Sequence, residues 1–149
     1  MSAVFSQGGL GEFGRIRCFF APLAGPGGLG LKDDAALVDC APGHLLGVTV
    51  DAIVEGVHYL PDDPPDLVAR KLLRVNLSDL AAMGAEPAWF LLSLTMPDAQ
   101  AEFLEGLAGG LLALAQEHRV ALVGGDTTAG PLSVTVQALG LVAGNALRR

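Results

Sequence analysis

The chain is poor in the residues that build several common kinds of site. Its 149 residues hold two cysteines, Cys18 and Cys40, far apart and without the paired spacing of a zinc or iron–sulfur ligand set. Two isolated thiols are read most simply as a reduced, cytoplasmic setting. Three histidines, at 44, 58 and 118, make no metal pattern either. Nine basic residues stand against sixteen acidic ones, for a formal charge of −7. With no basic stripe to neutralise phosphates, free nucleic acid is excluded as a partner. The longest apolar runs are interrupted by Gly, Asp or Gln well short of a membrane span, so no membrane partner is expected. The first residues, MSAVFSQGGLGEFGRI, lack a charged stretch followed by an apolar one, which argues against secretion. A Walker-type phosphate loop, an H-E-x-x-H helix and a nucleophile elbow are all missing.

What is present describes a compact protein punctuated by loops. Half of the chain is apolar (51%), 17% is charged, and glycine occurs 20 times. That balance fits a single domain with a real core, not a disordered chain. Residues 1–11 read as a mobile lead. Glu12 to Phe20 reads as a short helix, stopped by Pro22 and by GPGGLG, Gly25 to Gly30. The latter matches G-x-G-x-x-G formally, but no helix opens after it to face a pyrophosphate, so it reads as a flexible loop. After Asp33 and Asp34, AALVDCAPG predicts a short strand and turn. Leu45 to Val50 predicts a strand that ends at Asp51, with a loop carrying Glu55 and His58. Pro61 to Asp66 is a stiff breaker that starts a helix running to about Met83 and stopping at Gly84. Trp89 to Met96 is rich in strand-forming residues, and Pro97-Asp98 caps a second helix reaching about His118. VALVGG predicts a buried strand ending at Asp126, GDTTAGP a turn, and Leu132 to Val142 a long alternating strand. The expected fold class is α/β, layered: a mixed, mostly antiparallel sheet with helices packed on one face.

Within this frame the aspartates raise the sharpest question. On the helical wheel of the stretch RVNLSDLAAMGAEP, Asp79 falls with Val68, Leu72 and Met83 on the side opposite Arg70, Arg74 and Ala81. A carboxylate among apolar groups is unfavourable without a partner. Asp33, Asp51 and Asp126 share its character, each beside an element end, where layered α/β domains place their crevices. Gathered together they would repel one another, and Mg²⁺ with its preference for oxygen ligands would relieve them. Plainer readings stand beside this one: Asp33 and Asp34 as a solvated pair, Asp51 as a turn cap, Asp126 as an Asx-type turn before Thr127 and Thr128. Asn76 either supports Asp79 or pairs with backbone. His58, in EGVHYL, either meets a substrate or packs half-buried beside Tyr59. Gly124-Gly125 either cradles a phosphate or simply turns the chain. Trp89, Phe90 and the leucines from Leu104 to Leu114 are expected in the core.

Taken in order, these stretches resemble the thiamine-monophosphate kinase family. The matching segments are GEF (Gly11 to Phe13), DDAAL (Asp33 to Leu37), VDAIVEGVHYLPDDPP (Val50 to Pro65), KLLRVNLSDLAAMGAEPAW (Lys71 to Trp89) and ALVGGDTTAGPLSVTVQALG (Ala121 to Gly140). NLSDLAAMGAEP is shared more loosely with aminoimidazole-ribonucleotide and selenophosphate synthetases, whose N-terminal domain gives the expected fold. The resemblance implies phosphorylation of thiamine monophosphate to thiamine diphosphate with ATP and Mg²⁺, by direct in-line transfer and with no protein nucleophile. It implies magnesium ligands at Asp33, Thr49, Asp51, Asp79 and Asp126, and nucleotide contacts at Gly125, Asp126 and Arg149. It further implies a substrate contact at His58. It implies a second, substrate-binding domain beyond this stretch, and a homodimer formed through the sheet, with Leu132 to Val142 as the contributing strand. Two positions depart from the family pattern: Lys32 stands where glycine is usual, and Val50 leaves only its backbone carbonyl between Thr49 and Asp51. Two other readings remain: another ATP-using synthetase of the same superfamily, or a non-catalytic dimerisation module with solvated acids.

Overall fold

The computed structural model describes residues 11–97 and 101–144. A short helix, α1 (Glu12–Arg15), continues as a π turn, Ile16–Phe20, and 3-10 turns at Ala21–Leu23 and Pro26–Leu31. Then follow β1 (His44–Val54), α2 (Pro65–Ala82), β2 (Glu86–Met96), α3 (Ala101–His118), β3 (Ala121–Ala129) and β4 (Ser133–Ala143). The four strands form one sheet in the order β1-β4-β2-β3. β4 runs antiparallel to both β1 and β2, while β3 runs parallel to β2. The parallel pair is the one joined through a helix, because parallel neighbours need a long crossover. The mixed, mostly antiparallel sheet with helices on one face is as expected.

The core lies between α2, α3 and that face. On α2 the buried residues Val68, Ala69, Leu72, Leu73, Asn76, Leu77 and Leu80 recur at helical spacing. Pro65 occupies the first turn, where its missing N–H is not needed, and Gly84 follows the helix at φ 66°. From α3 come Leu104, Leu107, Leu111 and Leu114, and from the sheet Phe90, Leu92, Leu94, Met96, Val134 and Val136. Trp89, expected in the core, is only half-buried. The two helices approach closely where α3 carries glycine: a Cβ on Gly110 would lie 2.3 Å from the Asp66 carbonyl oxygen.

Several boundaries differ from the sequence reading, for one reason. Polar residues carried by a strand near the border of the covered region mimic a loop in a linear reading. β1 continues three residues past Asp51, so Asp51 lies inside the strand. β3 likewise runs through GDTTA, and the turn falls at Gly130 to Leu132, so Asp126 is a strand residue and no Asx turn forms. The stretch after Asp34 forms no strand and is mostly exposed. GPGGLG is not a flexible loop: the Gly25 N–H donates to the Leu122 carbonyl at 3.0 Å, and a Cβ on Gly28 would touch the Val123 backbone. β4, expected as the pairing strand, is paired on both sides; the edge strands are β1 and β3, the latter bridged by Ala24 at Leu122. The expected cap at Asp98, and all of the 1–11 lead except Gly11, lie outside the described residues.

Candidate functional site

Side chains alternate across a strand, and pairing partners share a face. Across the sheet, Ala52, Thr135, Ser93 and Asp126 are successive partners, and Asp51, Val136, Leu92 and Gly125 make the next row. Asp126 therefore leaves the sheet on the face away from the helices, and Thr49 and Asp51 leave it on the helix side. These opposite faces carry two distinct groups of candidate residues.

The first group opens onto a cleft of about 720 Å³ on the uncovered face. Its floor is Val50, Gln137, Thr135 and Ser93, with the backbone of Gly124 and Gly125 and the side chain of Asp126 along β3. One wall is the α1 segment with Phe13, Ile16 and Arg17; the other is Lys32, Asp33 and Asp34. Gly125 is dictated by the sheet. Its φ is 153°, and a Cβ there would stand 1.8 Å from the Leu92 carbonyl oxygen. β3 can come this close to β2 only where no side chain intervenes.

The second group sits between β1 and the last turn of α2. The Thr49 hydroxyl donates to Asp79 Oδ2 at 3.1 Å. Asp79 continues the stripe of Leu72 and Asn76, but in the helix's last turn that stripe has passed the core and reaches the polar side of β1. Asp79 is exposed there, so the apolar burial expected from the wheel does not occur. Partial burial holds the Asp51 carboxyl above the usual aspartate value, helped by the negative charge of Asp79 and a hydrogen bond with it; His58 pulls the other way. His58 is exposed and follows β1 in a tight turn, where the Val54 N–H donates to its Nδ1 at 3.0 Å. The proton of the neutral ring is then on Nε2, pointing away from that bond. Lys71 Nζ donates to the His58 carbonyl oxygen, tying the turn to α2. Tyr59 beside it is the packed residue, 7% exposed.

Asn76 is fully buried and donates to the Leu72 carbonyl at 3.0 Å, the backbone pairing rather than support of Asp79. Asp33 is exposed and joins Asp126 around the cleft, while Thr49, Asp51, Asp79 and His58 form the other group. Among the described residues no three of His, Cys, Asp and Glu stand ready to hold one ion by themselves. Arg149 lies outside the described residues. Missed in the sequence as site residues were Arg17, Ser93, Thr135 and Gln137; the alternation of β2 and β4 around Asp126 was the signal that points to the last three. Among the described residues no helix is long and apolar enough to cross a membrane.

A sheet covered on one side, a cleft on the other and acids on both place the chain in a defined class. Residues 32–142 match the model of the AIR synthase related protein, N-terminal domain, and the chain belongs to that family. Within it, the chain is similar to thiamine-monophosphate kinases. That of Escherichia coli (strain K12) is 50% identical over 123 residues, covering 81% of this chain and 38% of the relative. The crystal structure of thiamine-monophosphate kinase from Stenotrophomonas maltophilia K279a superposes with a TM-score of 0.75 at 48% identity, over 79% of this chain and 38% of that one. The structure of AaThiL complexed with AMPPCP and TMP gives 0.66 at 31% identity, over 90% and 43%. The chain thus spans less than half the length of the relatives it matches.

Proposed function

We propose that the chain is the nucleotide- and magnesium-binding half of a thiamine-monophosphate kinase, transferring the γ-phosphoryl group of ATP to thiamine monophosphate in the cytoplasm. The observation that carries this reading is the cleft in which the Gly124-Gly125-Asp126 backbone faces Asp33 and Asp34, inside a chain half-identical to such kinases over 123 residues. A glycine pair without side chains lets phosphate oxygens approach the backbone closely. Lys32 and Arg17 add positive charge to the same cleft.

The donor set fits magnesium. Asp51 and Asp79 are like charges in contact, with Asp51 held above its ordinary value, a strain that a divalent cation relieves. Thr49, Asp51 and Asp79 would hold one ion, and Asp33 and Asp126 another against the phosphates. Bound magnesium supplies charge neutralisation for the transferring phosphoryl group. The chain's own part is positioning. Gly125 lets β3 lie against β2 and aims Asp126 into the cleft; the Thr49 hydroxyl orients Asp79; the bond from Val54 leaves His58 Nε2–H free to donate to the acceptor substrate. Arg149 is assigned an ATP contact. Phosphoryl transfer asks for little covalent chemistry by protein groups, and none is assigned.

The free edge of β1 supports a homodimer. Leu45 and Leu46 are exposed along it, as are Val48 at 53% and Val50 at 62%, an apolar strand edge of the kind that pairs with another chain. Residues outside this stretch would supply the rest of the thiamine-phosphate site.

Titration calorimetry with a non-hydrolysable ATP analogue tests the reading. Binding should require Mg²⁺ and weaken strongly in Asp79→Asn or Asp126→Asn. Equal affinity with and without Mg²⁺ rejects it.

A further inference from the structure

Among the described residues, one aromatic side chain at the cleft is left largely exposed. Phe13, Ile16 and Phe20 all line the α1 wall, and burial falls off steeply along them: Phe20 is 4% exposed and packed into the core, Ile16 is half-buried, and Phe13 is 81% exposed. The inner end of this apolar strip is satisfied by the protein and the outer end is not. A solitary exposed phenylalanine means little on a convex surface. This one forms part of a cleft wall, and the cleft is chemically divided. Lys32, Asp33, Asp34 and Asp126 give it a charged pole suited to metal-bound phosphates, while Val50, Leu91 and Phe13 give it apolar surface. Arg17, one helical turn beyond Phe13, stands on the same wall. A ligand matching this pattern has a flat aromatic portion at one end and a polyanionic portion at the other.

We infer that Phe13 is the platform on which the heteroaromatic base of the nucleotide stacks, a specificity-determining residue for the ring and not for the phosphates. The assignment rests on the reading of the cleft as a nucleotide site. A phenyl ring offers a π-face to any base, and this one is 81% exposed, so stacking on it displaces mainly water.

The test compares three probes on the wild-type chain and on Phe13→Ala, Phe13→Leu and Phe13→Tyr, by calorimetry in Mg²⁺. The probes are a non-hydrolysable ATP analogue, inorganic tripolyphosphate, which keeps the charge and lacks the ring, and thiamine monophosphate. Because Phe13 is exposed, the variants should melt with the wild type. Loss of base–aromatic stacking predicts roughly 5- to 150-fold weaker binding of the ATP analogue in the alanine variant. Leucine should recover little of it and tyrosine most. Tripolyphosphate affinity should stay within about twofold. Equal weakening of the analogue and tripolyphosphate overturns the inference and assigns Phe13 a structural role. Full recovery by leucine, or a loss explained by dissociation of a dimer in sedimentation, overturns it as well. A loss confined to thiamine monophosphate gives the platform to the acceptor and overturns the nucleotide assignment. If the wild type binds tripolyphosphate but the analogue no more tightly, the stacking inference fails while the phosphate site stands; if it binds neither, the nucleotide reading fails and takes the inference with it.

Discussion

Two adjacent glycines on α3 should respond to the same substitution with opposite signs. Gly109 is exposed, and a Cβ built there meets nothing within 4 Å. Gly109→Ala therefore removes backbone freedom from the unfolded chain and adds a good helix former, a gain of about 0.5–1 kcal/mol. Gly110 is buried against the start of α2. Its Cβ would lie 2.3 Å from the Asp66 carbonyl oxygen and 2.7 Å from the Asp66 Cα. Both obstacles are backbone, so no side-chain rotation makes room, and α3 must back away from α2 by roughly 1 Å, loosening a core in which Leu107 and Leu111 are fully buried. Overpacking of this kind costs about 1–3 kcal/mol, and the helix-propensity gain of about 1 kcal/mol offsets part of it. With the clash at the upper end, Gly110→Ala is expected to lose about 2 kcal/mol net. The two variants should then differ by about 3 kcal/mol, which for a chain of this size is roughly 9 °C in Tm by scanning calorimetry. If both alanines shift Tm the same way, the close α2–α3 approach is wrong, and with it the placement of the helix that carries Asp79.

Gly125→Ala should be more damaging, by about 3 kcal/mol or more, because its Cβ would overlap the Leu92 carbonyl and its φ of 153° disfavours alanine; denaturant melts with an unchanged midpoint would refute the β2–β3 geometry. Asp51 carries a raised folded-state pKa, so the folded chain binds its proton more tightly than the unfolded one, and this group makes the metal-free protein lose stability as pH rises from the ordinary aspartate value through the raised one. Asp79→Asn removes the neighbouring charge and should flatten that slope in melts followed from the ordinary aspartate range upward; an unaltered slope would show that the two carboxylates do not interact. Tyr59→Phe deletes a buried hydroxyl that has no hydrogen-bond partner, and it should leave stability unchanged or raise it by about 1 kcal/mol in urea titration, whereas a clear loss would reveal a partner.

The helices and the long strand β4 were legible because periodic burial writes itself into sequence: Leu72, Leu73, Asn76 and Leu80 sit at helical spacing, and Val134, Val136 and Ala138 alternate. The polar halves of β1 and β3 were not. Asp51 and Asp126 resemble loop residues in a linear reading, because a strand at the border of a half-covered sheet carries charge where a central one carries valine. Gly124-Gly125 looked like a turn, and only the Leu92 carbonyl explains why glycine is needed inside a strand. Asp79 was placed on the apolar stripe correctly by angle but not by depth, since a wheel has no coordinate along the axis to say where the core ends. The resemblance supplied the candidate residues. It did not indicate that Asp51 and Asp126 leave the sheet on opposite faces, a fact that follows from pairing register alone.

That register has a consequence for how this stretch can change over generations. Along β1, Thr49 and Asp51 alternate with Val48 and Val50, so a single-residue slip against β4 would turn the valines toward α2 and Thr49 and Asp51 toward the opposite side. Every residue would survive, but Thr49 and Asp51 would no longer face Asp79. Between His44 and Val54, substitutions are therefore negotiable one at a time, whereas deleting or inserting a single codon scrambles a parity that no compensating side chain nearby can restore.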